Sequence, residues 1–204
     1  MVTEEIQGNS IATFLDDLSS RSPTPGGGAV AAITGAQAAA LISMVCQFSS
    51  ENPELKSIAR QAEDARATFL KLADEDSAAF KLVMSAFKQP KDANNRKEKI
   101  QAALIKAAEA PRLMMRLAST LVECTSELLE KGNKNLITDT AIAAILIEAT
   151  VDSAELNVMI NLKSINDENY KQELVSEIGM CRHKIKRLKE ITDEIRESLN
   201  PGRK

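Results

Sequence analysis

Asp76 stands where the helical periodicity of its neighbours asks for an apolar side chain. In the helix that Pro53 opens, stepping by threes and fours from Leu55 gives Ile58, Ala62, Ala65, Phe69 and Leu72, and the same stepping past Asp76 gives Phe80, Val83 and Phe87. A carboxylate therefore shares the stripe of a core-facing helix, whereas Asp74 turns toward Lys71 and Ser77 and reads as solvated. Burial disfavours the charged form and raises a carboxyl pKa toward neutrality. That suits a group that accepts a proton in one step and returns it in the next. The other reading is a wide stripe with Asp76 at its wet edge, and periodicity fits both.

Two further groups could meet a ligand. Pro23-Thr24-Pro25-Gly26-Gly27-Gly28 joins stiff residues to permissive ones directly before a helix amino terminus, where free backbone amides attract anions and carbonyl oxygens. The segment matches neither the P-loop nor the dinucleotide fingerprint, so no nucleotide is implied, and a tight packing turn explains it equally well. Farther on, Asn133, Asn135 and Asp139 in GNKNLITD precede a helix in which Thr150, Ser153, Asn157, Asn161 and Ser164 form a polar stripe. Asn is a poor mid-helix residue. Asn157 and Asn161, four apart on one face, could present amides to a heteroaromatic edge; a water-facing stripe and a helix-capping Asp139 are the plainer readings. His183, the only histidine, sits among Arg182, Lys184 and Lys186 and reads as solvent-facing. No metal-ligand spacing occurs, and Asp16-Asp17 stands alone, so neither a metal site nor a serine-histidine triad is expected.

Positioning these groups falls to an all-α bundle of about six long helices. The first starts at Ser10, a good N-cap, carries Ile11, Phe14, Leu15 and Leu18 on one face, and stops at Arg21-Ser22-Pro23. The second, Ala29 to Phe48, is uncharged and long enough to cross a bilayer. Its Thr34, Gln37, Ser43 and Gln47 and its lack of an aromatic belt favour instead a wholly buried helix with close neighbours, including a dimer partner. The third runs from Pro53 to about Phe87. The fourth spans about Arg96 to Lys131 and ends at a Gly132 cap, with Pro111 expected to kink it and to free the Ala107 carbonyl. A fifth covers Thr138 to Leu162, and a charged sixth, Asp167 to Leu199, keeps a seam of Tyr170, Leu174, Ile178, Cys181, Ile185, Leu188, Ile195 and Leu199.

Composition agrees with that architecture. Of 204 residues 44% are hydrophobic but only 3% aromatic, so Ala, Leu, Ile, Val and Met must build the core of one domain spanning residues 1–204. Lys plus Arg number 26 against 29 Asp plus Glu, which removes the basic field that nucleic acid needs. Cys46, Cys124 and Cys181 form no C-x-x-C pair, so a reducing compartment is expected rather than a disulfide framework or zinc knuckle. The opening MVTEEIQGNS has no signal-peptide character, and the expectation is a cytoplasmic protein without a membrane partner.

Taken in order and spacing, PTPGGGAVAA, AALISMV, LADEDSAAF, AAEAP, GNKNLITD and AELNVMINL resemble the formiminotetrahydrofolate cyclodeaminase family, which includes standalone bacterial methenyltetrahydrofolate cyclohydrolases. The resemblance runs from Phe14 to about Leu162; the last helix is similar only in being charged and amphipathic. It implies an intimate homodimer or higher homo-oligomer of helical bundles, and a folate substrate with or without a polyglutamate tail. It also implies an essential aspartate matching Asp76, near a glycine loop matching Pro25, Gly26, Gly27 and Gly28. Asn133, Asn135, Asp139, Asn157 and Asn161 match further family segments and are the remaining substrate-binding candidates. The activity implied is cyclodeamination of 5-formiminotetrahydrofolate to the 5,10-methenyl form with release of ammonia, as in histidine degradation. Hydrolysis of the methenyl form to 10-formyltetrahydrofolate is the alternative. Neither requires a redox cofactor or metal. A catalytically silent scaffold, with the glycine loop packing a dimer and Asp76 paired to a base, is the non-enzymatic alternative.

Overall fold

Side-chain caps fix where three of the helices begin. Ser10 Oγ accepts the Thr13 amide at 3.1 Å, Asn52 Oδ1 the Glu54 amide at 2.9 Å just ahead of Pro53, and Asp167 Oδ1 the Tyr170 amide at 3.0 Å. The structure, a computed structural model, describes residues 5–49 and 52–202. Among these residues are six α-helices and no strand. They are α1 (Ile11–Ser19), α2 (Gly27–Gln47), α3 (Pro53–Lys88), α4 (Arg96–Lys131), α5 (Ile137–Leu162) and α6 (Glu168–Ser198), with 3-10 turns at Ile6–Gly8 and Lys134–Leu136. The all-helical bundle expected from the sequence is the one observed.

The centre is α2, packed against α3 on one side and α5 on another, with α4 closing the group and α6 laid over α4 and α5. Small side chains make that density possible: Ala29, Ala32, Ala38 and Ala39 are fully enclosed, and a Cβ on Gly35 would fall 2.6 Å from the Phe69 ring. Among the described residues α2 is the one helix long and apolar enough to cross a membrane, and most of it is covered by its neighbours. Its α5 neighbour runs antiparallel to it, so the end of α5 returns to the start of α2. Arg112 of α4, hydrogen-bonded to Glu173 and Glu177, fastens α6 in place.

Several helix faces differ from their periodicity. On α1 only Phe14 is buried while Ile11 is 80% exposed, because a nine-residue helix at the edge has no second layer over its outer side. Leu199 lies past the end of α6 and is exposed. Thr150 belongs to the core, not to a polar stripe, and satisfies its hydroxyl on the Leu146 carbonyl at 2.7 Å. Asp74 is not solvated: the turn at Ile6–Gly8 folds over it, and its Oδ1 accepts the Ile6 amide at 2.6 Å. Past Leu72 the buried face of α3 rotates to Ala73, Ser77, Ala79 and Ala86, leaving Phe80 and Phe87 outside the core. Gly132 ends α4 as expected but in extended rather than left-handed backbone. Its missing side chain matters because a Cβ there would meet the Leu128 carbonyl oxygen at 2.5 Å.

Candidate active site

Asp76 of α3 meets the first turn of α2. A Cβ built on Gly28 would lie 2.3 Å from Asp76 Cγ and from both carboxylate oxygens, so backbone and carboxyl touch where any side chain would intervene. Gly26 and Gly27 carry no such demand, since a Cβ on either meets nothing within 4 Å. Gly26 is the N-cap of α2 and supplies no capping side chain, which leaves the first-turn amides available to a ligand.

The Asp76 carboxyl is half-buried and has no hydrogen-bond or ion-pair partner among the described residues. Burial pushes it up to about 6. Near neutrality the carboxylate then dominates with about a tenth of the acid present, so both forms of a proton carrier are populated. Asp74 is raised too, by burial, but the Ile6 amide opposes the rise and holds it as an acceptor.

The carboxyl opens into a cleft of about 540 Å³, a volume within the range of small-molecule sites. One wall is Thr24 and the three glycines; another is Phe80, Val83 and Phe87 of α3; the third combines Ala107 of α4 with Asn157 and Asn161 of α5. The two asparagines spend their amide nitrogens on backbone. Asn157 Nδ2 donates to the Ser153 carbonyl and Asn161 Nδ2 to that of Asn157, each at 2.8 Å. Asn161 Nδ2 also reaches the Ala107 carbonyl at 3.5 Å, the oxygen that Pro111 leaves without its helical donor. Both Oδ1 atoms are thereby left to accept from a ligand.

Not every candidate residue arrives here. Pro25, after a cis peptide bond, lines a separate hollow behind the glycine loop with Asp74 and Ser77. Asn133, Asn135 and Asp139 lie at the other end of the bundle. Asn133 donates from its backbone to Ser49 Oγ and from its amide to the Phe48 carbonyl, and its Oδ1 caps the turn at Lys134–Leu136. From Asp139 to Asn157 is about 27 Å along α5 at 1.5 Å per residue. Conversely, Phe80, Phe87 and Lys163 line the cleft, and periodicity had placed the two aromatics in the core. A groove of about 600 Å³ between α3, α4 and α6 is as large, but its carboxylate, Glu177, is held below the ordinary range by its hydrogen bond to Arg112. It cannot carry protons near neutrality. Among the described residues no group of three His, Cys, Asp or Glu could hold a metal ion.

Residues 10–179 match the family described as formiminotransferase-cyclodeaminase. The methenyltetrahydrofolate cyclohydrolase of Methylorubrum extorquens is 37% identical over 180 residues, 83% of this chain and 86% of that protein. The formimidoyltransferase-cyclodeaminase of Sus scrofa is 32% identical over 180 residues, 83% of this chain, which spans only 33% of that longer relative. The crystal structure of a formiminotetrahydrofolate cyclodeaminase from Thermotoga maritima superposes with a TM-score of 0.88 at 34% identity, covering 96% of this chain and 99% of that one.

Proposed function

Because the chain belongs to the formiminotransferase-cyclodeaminase family, we propose that its cleft closes the one-carbon bridge of 5-formiminotetrahydrofolate, with Asp76 carrying the proton. The observation that carries this reading is the unpaired Asp76 carboxyl, raised to about 6 and pressed against Gly28 at the cleft wall. A scaffold reading needs that carboxyl paired with a base, and no described base pairs with it.

The chemistry needs one proton moved twice. The substrate enters as an N5-formamidinium cation; the Asp76 carboxylate takes the N10 proton as N10 attacks the formimino carbon, giving a neutral tetrahedral adduct. The acid then returns the proton to the departing amino group. Ammonia leaves, and the bridging carbon becomes the 5,10-methenyl cation. Carbon stays at one oxidation level throughout, so no redox cofactor enters the scheme.

Hydrolysis is a second reading, favoured by one finding: the cyclohydrolase relative is matched over most of its own length. There Asp76 takes a proton from water as hydroxide adds to the methenyl carbon and returns it to N5 as that bond breaks; the hydroxyl proton of the adduct goes to solvent. The two activities separate when purified protein is given each substrate alone and the near-ultraviolet band of the methenyl form is followed. Its appearance from the formimino substrate, with ammonia, is the expected result. Its loss without such an appearance would replace deamination by hydrolysis, and inertness toward both would end the folate reading.

We further propose that the working unit is a homodimer across the α2–α5 face. Ile142, Ile145, Leu156 and Ile160 of α5 and Val30 of α2 are large apolar side chains left between 38% and 69% exposed on that face. A two-fold axis across antiparallel α2 and α5 would carry the partner's GNKNLITD end toward this cleft, giving Asn133, Asn135 and Asp139 a place near substrate. Ile145→Glu should then yield an inactive monomer by sedimentation, and mixing inactive Asp76→Asn with inactive Asp139→Asn should restore part of the activity. A fully active Ile145→Glu monomer would remove the dimer from the account.

A further inference from the structure

The aromatic rings on α3 are placed against the logic of burial. The chain has five Phe, one Tyr and no Trp, so rings are scarce material for its core. Yet α3 turns Ala79 and Ala86 inward, 3% and 5% exposed, and leaves the adjoining Phe80 and Phe87 40% and 48% exposed. Both rings line the cleft that Asp76 opens into. With Val83 between them they continue the Asp76 face of the helix, Phe80 about 6 Å and Phe87 about 16 Å beyond the carboxyl along the axis. Across the cleft stand Asn157 and Asn161, whose amide oxygens are free to accept hydrogen bonds.

We propose that Phe80 and Phe87 are substrate-binding residues that stack on the flat rings of an elongated two-ring substrate, Phe80 at the reacting end and Phe87 at the outer ring. The proposal deepens the folate reading and rests on it: a folate carries a bicyclic ring, a short linker and a benzoyl ring, and its polar ring edge would face the asparagine wall. Ring stacking is a binding term shared by ground and transition states, so it sets KM more than kcat.

The test uses the full chain with 5-formimino- and 5,10-methenyltetrahydrofolate for turnover. Unsubstituted tetrahydrofolate, which has both rings but no one-carbon unit to react, serves for equilibrium binding. Phe80→Leu and Phe87→Leu should each raise KM and weaken tetrahydrofolate binding about tenfold, with kcat changed by less than about threefold. Phe80→Tyr and Phe87→Tyr, which keep the ring, should restore binding. Leu82→Ala, another exposed apolar residue of α3 on a different face, should leave KM unchanged. Melting temperatures of all five should match wild type, because none of these side chains is in the core. If wild type binds tetrahydrofolate and the Leu variants bind it equally well, or if Leu and Tyr variants behave alike, the stacking role is wrong while the folate reading stands. If wild type binds tetrahydrofolate but turns over neither substrate, the ring assignment is judged by binding alone and the reaction assignment fails. If wild type neither binds nor turns over any folate, the proposed function falls and takes the ring assignment with it.

Discussion

Asp76→Asn is expected to cost about 10²- to 10⁴-fold in kcat while making the protein more stable near neutrality. The activity loss follows from removing the one carboxyl among the described residues that line the cleft, the group poised to take and return a proton near neutrality. The stability gain follows from the carboxyl's environment. Its value of about 6 in the folded chain stands above the ordinary 3.8, so the folded state holds the proton more tightly than the unfolded state. Below pH 3.8 the group is protonated in both states and carries no penalty; between 3.8 and about 6 the native state loses stability as pH rises, and above that the penalty is constant. The difference amounts to at most about 3 kcal/mol, at 1.36 kcal/mol for each unit of pKa. Asn is neutral throughout and escapes it. Urea unfolding at about pH 4 and about pH 7.5 should show the two proteins alike in acid and the variant ahead near neutrality. The wild-type kcat/KM should in turn fall on the acid side with an apparent value of about 6. A variant less stable near neutrality would mean that Asp76 is engaged in a favourable interaction, as the scaffold reading requires, and retained activity would remove it from the chemistry.

What was legible in the sequence was whatever one helix could report about itself. The Pro53–Lys88 helix, its Asn52 cap and the carboxylate among its apolar positions are all local patterns, and the structure keeps them. Pro111 likewise announced a free carbonyl at Ala107, and Asn161 is found approaching it. The stripes from Leu55 to Leu72 and from Ile100 to Leu128 are buried as expected, and what failed was the inference of where along a stripe the covering partner ends. Phe69 and Phe80 have the same periodicity, but Phe69 lies under α2 while Phe80 is past the point where α2 begins, and so it faces the cleft. Thr150 and Asn157 look equivalent on a helical wheel, yet one is sealed inside and the other is in the cleft wall. The distance of Asn133, Asn135 and Asp139 from Asp76 is likewise a property of the antiparallel packing of α2 and α5, which no single segment encodes.

Gly28→Ala is expected to lose activity about as severely as loss of the carboxylate itself, with a smaller penalty in stability. The added Cβ would stand 2.3 Å from Cγ and both oxygens of Asp76, closer than any two such atoms can approach, and Gly28 is buried in the first turn of α2 with no room to retreat. Either the short Asp76 side chain rotates out of its place or α2 shifts from α3. Overpacking of this kind costs about 1–3 kcal/mol. A displacement of about 1 Å at a reacting group can by itself cost about 10²-fold in rate. The clash is with side-chain atoms of one residue, which makes the cause separable from a general intolerance of the glycine loop. In an Asp76→Ala background the same Gly28→Ala change meets no carboxyl, and most of its stability penalty should vanish, a coupling that two independent sites would not show. Gly27→Ala, whose Cβ would meet nothing within 4 Å, should melt with wild type. Urea unfolding of the four proteins in the Gly28/Asp76 cycle measures the coupling directly. Additive penalties would mean that backbone and carboxyl do not touch, and that Asp76 is held at the cleft wall by something other than the absence of a side chain on Gly28.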